Sequence, residues 1–299
     1  MTAAVRDALL IYNPTAGRRR HRGLLGALVE ALATGGWRAE PAATAAPGDA
    51  TRLAAAAAAG GADAVFVYAG DGTVREAAAG LLGGEVPLGI LPGGTANVLA
   101  HALGLPPRPL AAARAHARSE RRPFDVGRCG ATPFLMMASA GLDAAVVAHL
   151  EPALKTRLGR TGIVLQGFRE LWRYPYPPIA LTADGRALPP ATLAAVCNIP
   201  HYGGRFAIAP AARWDDRRLD LVAFRGTGPR ATLAFALALA TGRHLARDDV
   251  AATVVEEVVL DAPPGACLQV DGDPCAEPFP VTVRLAAERL PVLVPVIDR

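Results

Sequence analysis

Three glycine-rich loops in the first third of the chain have the composition of a phosphate-binding site. Each follows a short apolar run, and their sequences are Asn13-Pro14-Thr15-Ala16-Gly17, Gly70-Asp71-Gly72-Thr73 and Leu91-Pro92-Gly93-Gly94-Thr95-Ala96-Asn97. Glycine lets backbone amides approach a ligand closely, and the start of a following helix adds unsatisfied N–H groups and a favourable dipole. One such loop is typical of an ordinary turn, whereas three of them indicate a cradle for phosphate groups.

Carboxylates that could bind a cation or accept a proton occur at three places. Asp71 stands between two glycines, three aspartates lie within Trp214–Asp220, and Asp271-Gly272-Asp273 follows a short apolar run. Taken alone, the last of these segments favours a hairpin turn. The chain has a single lysine, Lys155, so phosphate binding cannot use a P-loop lysine near the N-terminus.

The loops require a scaffold of alternating strands and helices, and the first 124 residues have that pattern. Strands are predicted at Ala8–Tyr12, Arg38–Ala43, Ala64–Tyr68 and Pro87–Leu91, and helices over 24–33, from Asp49, from Val74 and over 96–102. This alternation predicts a parallel sheet covered by helices on both faces. Such sheets bind ligands at the carboxyl ends of their strands, where the three loops lie.

After Asp125 the pattern changes to short strands separated by turns, with helical patterns over 154–173 and 229–246 and alternating strand and turn over 268–294. The predicted fold class is therefore α/β plus β. An N-terminal parallel-sheet α/β nucleotide-binding domain over 1–124 precedes a C-terminal β-rich, antiparallel, sandwich-like domain over 125–290. We place the boundary near Pro123–Gly127 and expect the tail, about 291–299, to pack back on the first domain.

Composition excludes several classes of protein. Among 299 residues, 52% are hydrophobic and 19% charged, which is too apolar for a disordered chain. A net charge of +4 suits an anionic ligand or an acidic membrane surface and is too small for a dedicated nucleic-acid-binding protein. The four cysteines have no CxxC spacing, which favours a reducing cytosol, and no apolar run reaches the length of a membrane span.

The loops and acidic motifs together resemble the diacylglycerol kinase catalytic domain family, which includes bacterial lipid kinases and sphingosine kinases. Ala69–Thr73 resembles the GGDGT signature of that family, Leu91–Asn97 its GTAND loop, and Asp271–Asp273 its late DGE motif. Further matching segments are Asn13-Pro14 with Ala16-Gly17, Thr44 with Gly48-Asp49-Ala50, Phe124–Gly127, Gly141–Asp143, Asn198, Gly203-Gly204 and Pro210. The resemblance therefore extends over nearly the whole chain.

The resemblance implies ATP and Mg²⁺ as cofactors and assigns roles to individual residues. ATP contacts fall on Asn13, Thr44, Ala69, Gly70, Asp71, Gly72, Thr73, Val74, Arg75, Gly94, Thr95 and Asn97. Asp271 is the implied acceptor of the hydroxyl proton, and Asp71 organises Mg²⁺ at the phosphates. The side chain of Asp216 and the carbonyls of Arg213 and Arg218 are the implied ligands of a second, structural Mg²⁺, and Asp273 supports the metal.

Four positions depart from the family pattern, one of which, Asp273, replaces a glutamate and is one methylene shorter but still acidic. Ala69 replaces the first glycine of GGDGT, and we expect little effect because alanine is small. Val98 replaces an aspartate, which removes one carboxylate from the expected metal network. Arg217 replaces a glycine at the second metal site, and a positive φ there would cost an arginine about 1–2 kcal/mol.

These features predict an ATP- and Mg²⁺-dependent lipid kinase that phosphorylates a hydroxyl of diacylglycerol or a related lipid. Two alternatives stay open: a kinase of a soluble alcohol, or a nucleotide- or lipid-binding protein weakened in catalysis. We expect a cytoplasmic protein that associates peripherally with membranes and has no nucleic-acid partner. The sequence leaves a homodimer open.

Overall fold

The computed structural model of this chain describes residues 5–14, 23–150, 160–202, 204 and 206–296. The chain divides into two units after Phe124 and again after Ala287. Both divisions fall within strands, β5 (Ser119–Cys129) and β18 (Val281–Pro295), and not within a linker. The change in sequence pattern near Pro123–Gly127 therefore falls within one continuous strand, whose two ends belong to different units.

The first unit alternates strands and helices. Its elements are β1 (Arg6–Tyr12), α1 (Leu25–Thr34), β2 (Trp37–Ala43), α2 (Asp49–Ala59), β3 (Ala64–Ala69), α3 (Asp71–Leu81), β4 (Leu88–Pro92), α4 (Val98–Ala102) and α5 (Pro109–Ala115). The strands are parallel in the order β2-β1-β3-β4, and the end of β18 joins them through Val292, which pairs with Leu88. Parallel pairing brings the carboxyl ends of β1, β3 and β4 to one edge.

The centre of this sheet is packed around Phe66 of β3. Gly89, its cross-strand neighbour on β4, leaves room for the ring, because a Cβ at that position would lie 2.3 Å from Phe66 Cδ1. The rings of Trp37 and His116 contact Phe66 edge-on at 5.1 and 5.2 Å between centroids. His116 is buried, with Nε2 at 3.1 Å from the Ile90 carbonyl, and burial lowers its pKa to about 4. This histidine is therefore a neutral core residue.

The second unit is rich in antiparallel strands. Its elements are β6 (Thr132–Phe134), β7 (Met137–Gly141), α6 (Leu142–Ala148), α7 (Arg160–Arg173), β8 (Ile179–Ala183), β9 (Arg186–Ala191), β10 (Leu193–Cys197), β11 (His201–Tyr202), β12 (Phe206–Ala207), β13 (Leu219–Phe224), α8 (Gly228–Ala240), β14 (Val250–Val255), β15 (Glu257–Asp261), β16 (Leu268–Val270) and β17 (Asp273–Pro274), with the first part of β18.

Two sheets of this unit enclose its main core. One has the order β14-β13-β10-β7-β16-β17, and the other pairs β15 with β8 and with the start of β18. Alternate residues of β10 serve two cores: Ala194 and Val196 lie in the core with residues of the other sheet, whereas Leu193 and Ala195 pack with α8. The predicted fold class, an α/β unit followed by a β-sandwich-like unit, is confirmed.

Several predicted boundaries differ from the structure. Helix α3 begins at Asp71, three residues before the expected Val74, and the predicted helix over 229–246 is split into α8 and a 3₁₀ turn at His244–Ala246. Of the helix predicted over 154–173, residues 154–159 lie outside the described residues. The last part of the chain forms one long strand, β18, because its apolar residues continue through Pro291 to Val294.

Within the ranges that the structure describes, no helix combines the length and the apolar character that crossing a bilayer requires.

Candidate active site

The carboxyl edge of the parallel sheet holds the residues that the sequence assigned to the nucleotide. Asn13 follows β1 and Thr44 follows β2, and the N–H of Thr44 donates to the Tyr12 carbonyl at 2.9 Å. The loops after β3 and β4 lie on the same edge, because these strands are parallel to β1. Of the first loop, Thr15, Ala16 and Gly17 lie outside the described residues.

The loops after β3 and β4 contact each other backbone to backbone. A Cβ on Gly94 would lie 2.5 Å from the Cα of Gly70, so this position admits only glycine without displacement of a loop. The N–H of Gly93 donates to the Ala69 carbonyl at 2.9 Å. Gly70 precedes the first turn of α3, whose amides lack partners within the helix. Thr73 and Arg75 are half-buried on that turn, as is Gly72, and Val74 is buried.

Asn97 closes the loop after β4. Its backbone is left-handed, with φ of 48°, and its side chain accepts the N–H of Gly94 at 2.7 Å and donates to the Gly94 carbonyl at 2.9 Å. The bonds explain why α4 begins at Val98 and not at Ala96. Thr95, between these anchors, is exposed to solvent. The loop is therefore held at both ends while its hydroxyl residue stays accessible.

Asp71 connects the two glycine loops. Its carboxylate accepts the N–H groups of Val98 and Leu99, each at 3.2 Å, and thereby caps the start of α4. Burial raises the pKa of Asp71, and the backbone N–H bonds act in the opposite direction. The side chain of Val98 is buried at 6% exposure, so a carboxylate at that position would also be buried. Asp71 thus has a positioning role that the sequence did not predict.

Asp271, in the second unit, holds the loop before β7. Its carboxylate accepts the N–H groups of Leu135 and Met136 at 2.8 Å and of Met137 at 3.0 Å. The residue is 8% exposed and left-handed, with φ of 51°. A carboxylate that serves three backbone amides is suited to positioning a loop. Asp273, two residues later on β17, is half-buried.

A buried polar network supports the turn at Gly272. The side-chain oxygen of Gln269 accepts the N–H of Gly272 at 2.8 Å, and its amide donates to Ser139 Oγ at 2.6 Å. Ser139 in turn donates to the carboxylate of Asp143. Burial raises the pKa of Asp143. The resemblance matched Asp143, but Gln269 and Ser139 carry no motif, so sequence reasoning had no signal for them.

Asn198 links this loop to the predicted metal segment. Its side chain donates to the carbonyls of Leu135 at 2.8 Å and Asp125 at 2.7 Å. The carboxylate of Asp125, which is fully buried, accepts the N–H of Arg217 at 2.7 Å. One hydrogen-bonded chain therefore runs from Asp271 through Asn198 to the segment at Arg217. The sequence matched Asn198 and Asp125 to the family but assigned them no role.

The segment from Arg213 to Asp220 has a left-handed residue at the position where the family pattern has glycine. Arg217 has φ of 62°, the left-handed region that favours glycine, and its bond to Asp125 stabilises this conformation. The carboxylate of Asp216 accepts the N–H of Arg218 at 3.0 Å, and the side chain of Arg213 lies 3.4 Å from Asp215. Among the residues that the structure describes, no three His, Cys, Asp or Glu side chains have the geometry of a metal site. A cation at this segment would therefore need backbone carbonyls among its ligands.

Two carboxylates of this segment, those of Asp216 and Asp220, influence each other. Burial, with the charge of Asp216 as a second cause, raises the pKa of Asp220 to about 6. A carboxylate that resists ionisation beside another carboxylate favours cation binding, because a cation stabilises the charged form of both.

Two family models match this chain, one over its first part and one over its second. Residues 7–129 match the diacylglycerol kinase catalytic domain, and residues 136–294 match the YegS C-terminal NAD kinase beta sandwich-like domain. The chain therefore belongs to the family of diacylglycerol kinase and YegS-like proteins, and the resemblance read from its motifs is confirmed.

Curated relatives agree with this assignment. The diacylglycerol kinase of Mycobacterium tuberculosis (strain H37Rv) is 33% identical over 255 residues, which cover 83% of this chain and 82% of that protein. The diacylglycerol kinase of Bacillus subtilis (strain 168) is 28% identical over 277 residues, 90% of each chain. A Chromohalobacter salexigens protein named "Probable lipid kinase YegS-like" is 38% identical over 183 residues, 60% of this chain and 59% of that relative.

Solved structures share the fold. A structure from Bacillus anthracis strain Sterne superimposes with a TM-score of 0.82 at 24% identity, covering 98% of this chain and 96% of that chain. A structure of a diacylglycerol kinase from the same strain has a TM-score of 0.73 at 22% identity, with 96% of each chain covered. At this identity the likeness shows the fold alone.

The substitution Asp271→Asn should destabilise the protein. An asparagine side chain has one acceptor oxygen, so up to two of the three backbone amides lose their partner, which should lower the free energy of unfolding by about 2–4 kcal/mol. Asparagine tolerates the left-handed backbone, so the effect reports the side chain. Urea denaturation measures it, with Asp273→Asn as the control. Equal stability of wild type and Asp271→Asn would contradict the positioning role.

The raised pKa of Asp220 predicts a pH-dependent effect on stability. Because the folded state holds this proton more tightly than the unfolded chain, ionisation costs stability as the pH rises from about 4 to about 6. Asp220→Asn should therefore raise the melting temperature at about pH 7.5 and change it little at about pH 4. Thermal unfolding at both pH values checks this, with Asp261→Asn on β15 as an exposed control. The same shift at both pH values would show that Asp220 is not the titrating group.

Proposed function

We propose that this chain is an ATP- and Mg²⁺-dependent kinase that transfers the γ-phosphoryl group to a hydroxyl of diacylglycerol or a related lipid. The observation that carries the proposal is the close contact of Gly70 and Gly94, which presents two glycine loops and the start of α3 at one edge of a parallel sheet. Family membership and the kinase names of the relatives support the same reaction.

In this proposal the first unit binds the nucleotide. The amides of residues 70–73 and the dipole of α3 stabilise phosphate charge without a lysine. The exposed hydroxyl of Thr95 donates to a phosphate oxygen, and Thr44 with Asn13 contacts the nucleoside end. Asp71, in the loop after β3, holds the start of α4 through its hydrogen bonds to the N–H groups of Val98 and Leu99.

We assign the acceptor of the hydroxyl proton to Asp273 and not to Asp271. The carboxylate of Asp271 is 8% exposed and already orients three backbone amides, so its oxygens face the protein. Asp273 is more exposed, and the Gln269–Gly272 bond fixes the turn that carries it. A general base needs access to the proton that it removes, so the more exposed carboxylate is the better candidate.

Oxygen ligands near Asp216 suit Mg²⁺, a hard cation. The side chain of Asp216 and the carbonyls of Arg213 and Arg218 would hold it. Mg²⁺ bound with the nucleotide would neutralise phosphate charge during transfer. Asp125 and Arg217 would keep the segment in its turn.

The decisive experiment is a phosphorylation assay with radiolabelled ATP against a panel of acceptors. We expect labelled product from diacylglycerol in detergent micelles, loss of product on chelation of Mg²⁺, and none from NAD or sugar phosphates. Phosphorylation of a soluble alcohol instead would favour the rival kinase. ATP binding without product from any acceptor would favour a binding protein.

Gly94→Ala should weaken ATP binding. The new Cβ would meet the backbone of Gly70 at 2.5 Å and separate the two loops, so we expect the Kd to rise at least tenfold, about 1.4 kcal/mol. The matched control is Gly26→Ala in α1, where a Cβ meets nothing within 4 Å. Calorimetric titration with ATP measures both. An unchanged Kd for Gly94→Ala would exclude these loops from the nucleotide site.

Asp273→Asn should lower kcat by about 10²–10⁴-fold, the range for loss of a general base, with little change in ATP affinity or melting temperature. Asp271→Asn should instead lose stability, and its remaining folded fraction should retain more activity than Asp273→Asn. Steady-state kinetics, normalised to the folded fraction, distinguishes the two, with Asp261→Asn as the control. Near-normal turnover of Asp273→Asn would return the role to Asp271.

A further inference from the structure

Two cysteines of the second unit meet where its two sheets face each other. Cys129 is the last residue of β5, which pairs with β18, and Cys275 directly follows β17 at the edge of the other sheet. The thiol of Cys129 hydrogen-bonds to the sulfur of Cys275. Cys129 lies in the main core, and Cys275 packs against that core. Because Cys129 is buried and Cys275 half-buried, a small reagent from solvent meets Cys275 first.

Hydrogen bonds of Glu277 hold the two cysteine-bearing segments together. Cys129 pairs with Thr132 in the hairpin of β5 and β6, so their side chains lie on the same face of that hairpin. A carboxylate oxygen of Glu277, two residues after Cys275, accepts the hydroxyl of Thr132 at 2.8 Å and the N–H of Ala131 at 3.1 Å. The approach of the two sulfurs therefore does not depend on the thiol contact alone.

The surroundings of Cys275 stabilise a thiolate. The Cys129 thiol and the N–H of Glu277 donate to its sulfur and lower the pKa of Cys275, with the Cys129 contact as the larger cause. The same contact, together with burial, raises the pKa of Cys129. The thiolate is the nucleophilic form of cysteine, and a neighbouring thiol can resolve its oxidised form. Cys275 thus has the character of the attacking thiol and Cys129 that of the resolving thiol.

We propose that Cys275 is a modification site for hydroperoxides, at which oxidation forms a disulfide with Cys129 and displaces the turn that carries Asp273. Hydrogen-bonded sulfurs lie farther apart than the about 2.05 Å of a disulfide bond, so one segment must move when the bond forms. Cys129 is fixed in the core, so the segment of Cys275 moves more. The effect on turnover rests on the proposed function, in which Asp273 accepts the hydroxyl proton.

The modification has two steps that balance. The thiolate of Cys275 attacks one oxygen of the hydroperoxide, the O–O bond breaks, and an alcohol, or water from hydrogen peroxide, leaves with one proton. The sulfur of Cys129 then attacks the resulting sulfenic acid of Cys275. An S–S bond forms, the S–O bond breaks, and water leaves with the Cys129 proton. Two electrons pass from the two thiols to the hydroperoxide, and an external dithiol reverses the change by exchange.

The first test locates the thiols after exposure to hydrogen peroxide. All four cysteines of the reduced, denatured protein should be alkylated. After peroxide two should resist alkylation, and peptide mapping without reductant should join Cys129 to Cys275. Dithiothreitol should restore all four thiols. Cys275→Ser should form no disulfide, whereas Cys267→Ser, a control at another half-buried cysteine, should form the same one as the wild type.

A second variant separates the two steps. In Cys129→Ser the resolving thiol is missing, so oxidation should stop at the sulfenic acid of Cys275, which dimedone labels. Thermal unfolding verifies that this core variant is folded, and Cys129→Ala serves as a second truncation. Dimedone labelling of Cys267 in place of Cys275 would contradict the assignment of the attacking thiol.

Turnover of diacylglycerol in detergent micelles measures the consequence. Oxidation should lower kcat of the wild type about tenfold or more, because a catalytic group misplaced by about 1 Å can cost about 10²-fold. Dithiothreitol should restore kcat. Cys275→Ser should keep its kcat in peroxide, whereas Cys267→Ser should lose it as the wild type does.

Three results would overturn the inference. They are four free thiols after peroxide treatment, a disulfide that joins other cysteines or two chains, and a disulfide between Cys129 and Cys275 that leaves kcat unchanged. A reduced protein that phosphorylates no acceptor would contradict the kinase alone. Peptide mapping needs no turnover, so it would still decide whether Cys275 is the modification site.

Discussion

One interaction recurs at both candidate sites: an aspartate carboxylate, half-buried in Asp71 and buried in Asp271, accepts backbone N–H groups from a segment distant in sequence. Asp71 does this for the start of α4, and Asp271 for residues 135–137. A buried amide without a partner costs about 1–3 kcal/mol, so each carboxylate strongly constrains the path of its loop. The positions of the glycine loops in the first unit, and of the Gly272 turn in the second, depend on these bonds.

The two units place their chemistry on different kinds of scaffold. In the first, parallel strands bring three loops to one edge, and the close approach of Gly70 and Gly94 keeps backbone amides accessible. In the second, hydrogen bonds connect three segments of an antiparallel sandwich through Asn198 and Asp125. The first arrangement suits an anionic nucleotide, because its favourable groups are amides and helix dipoles. The second suits acid–base and cation chemistry, because its groups are carboxylates.

The sequence by itself determined the fold class, the glycine loops, and the ends of strands β1, β3 and β4 to within two residues. It could do so because hydrophobic patterns and the backbone freedom of glycine act locally along the chain. It also identified the family, because the motifs occur along the chain in the order and spacing of that family. Only the tertiary structure decided which carboxylates hold loops. Asp271 and Asp273 lie two positions apart in one motif, yet the carboxylate of Asp271 accepts amides more than 130 positions away. It likewise decided which side of α7 is buried, because Glu170 on that side lies 3.2 Å from His149 Nδ1, on another segment of the chain.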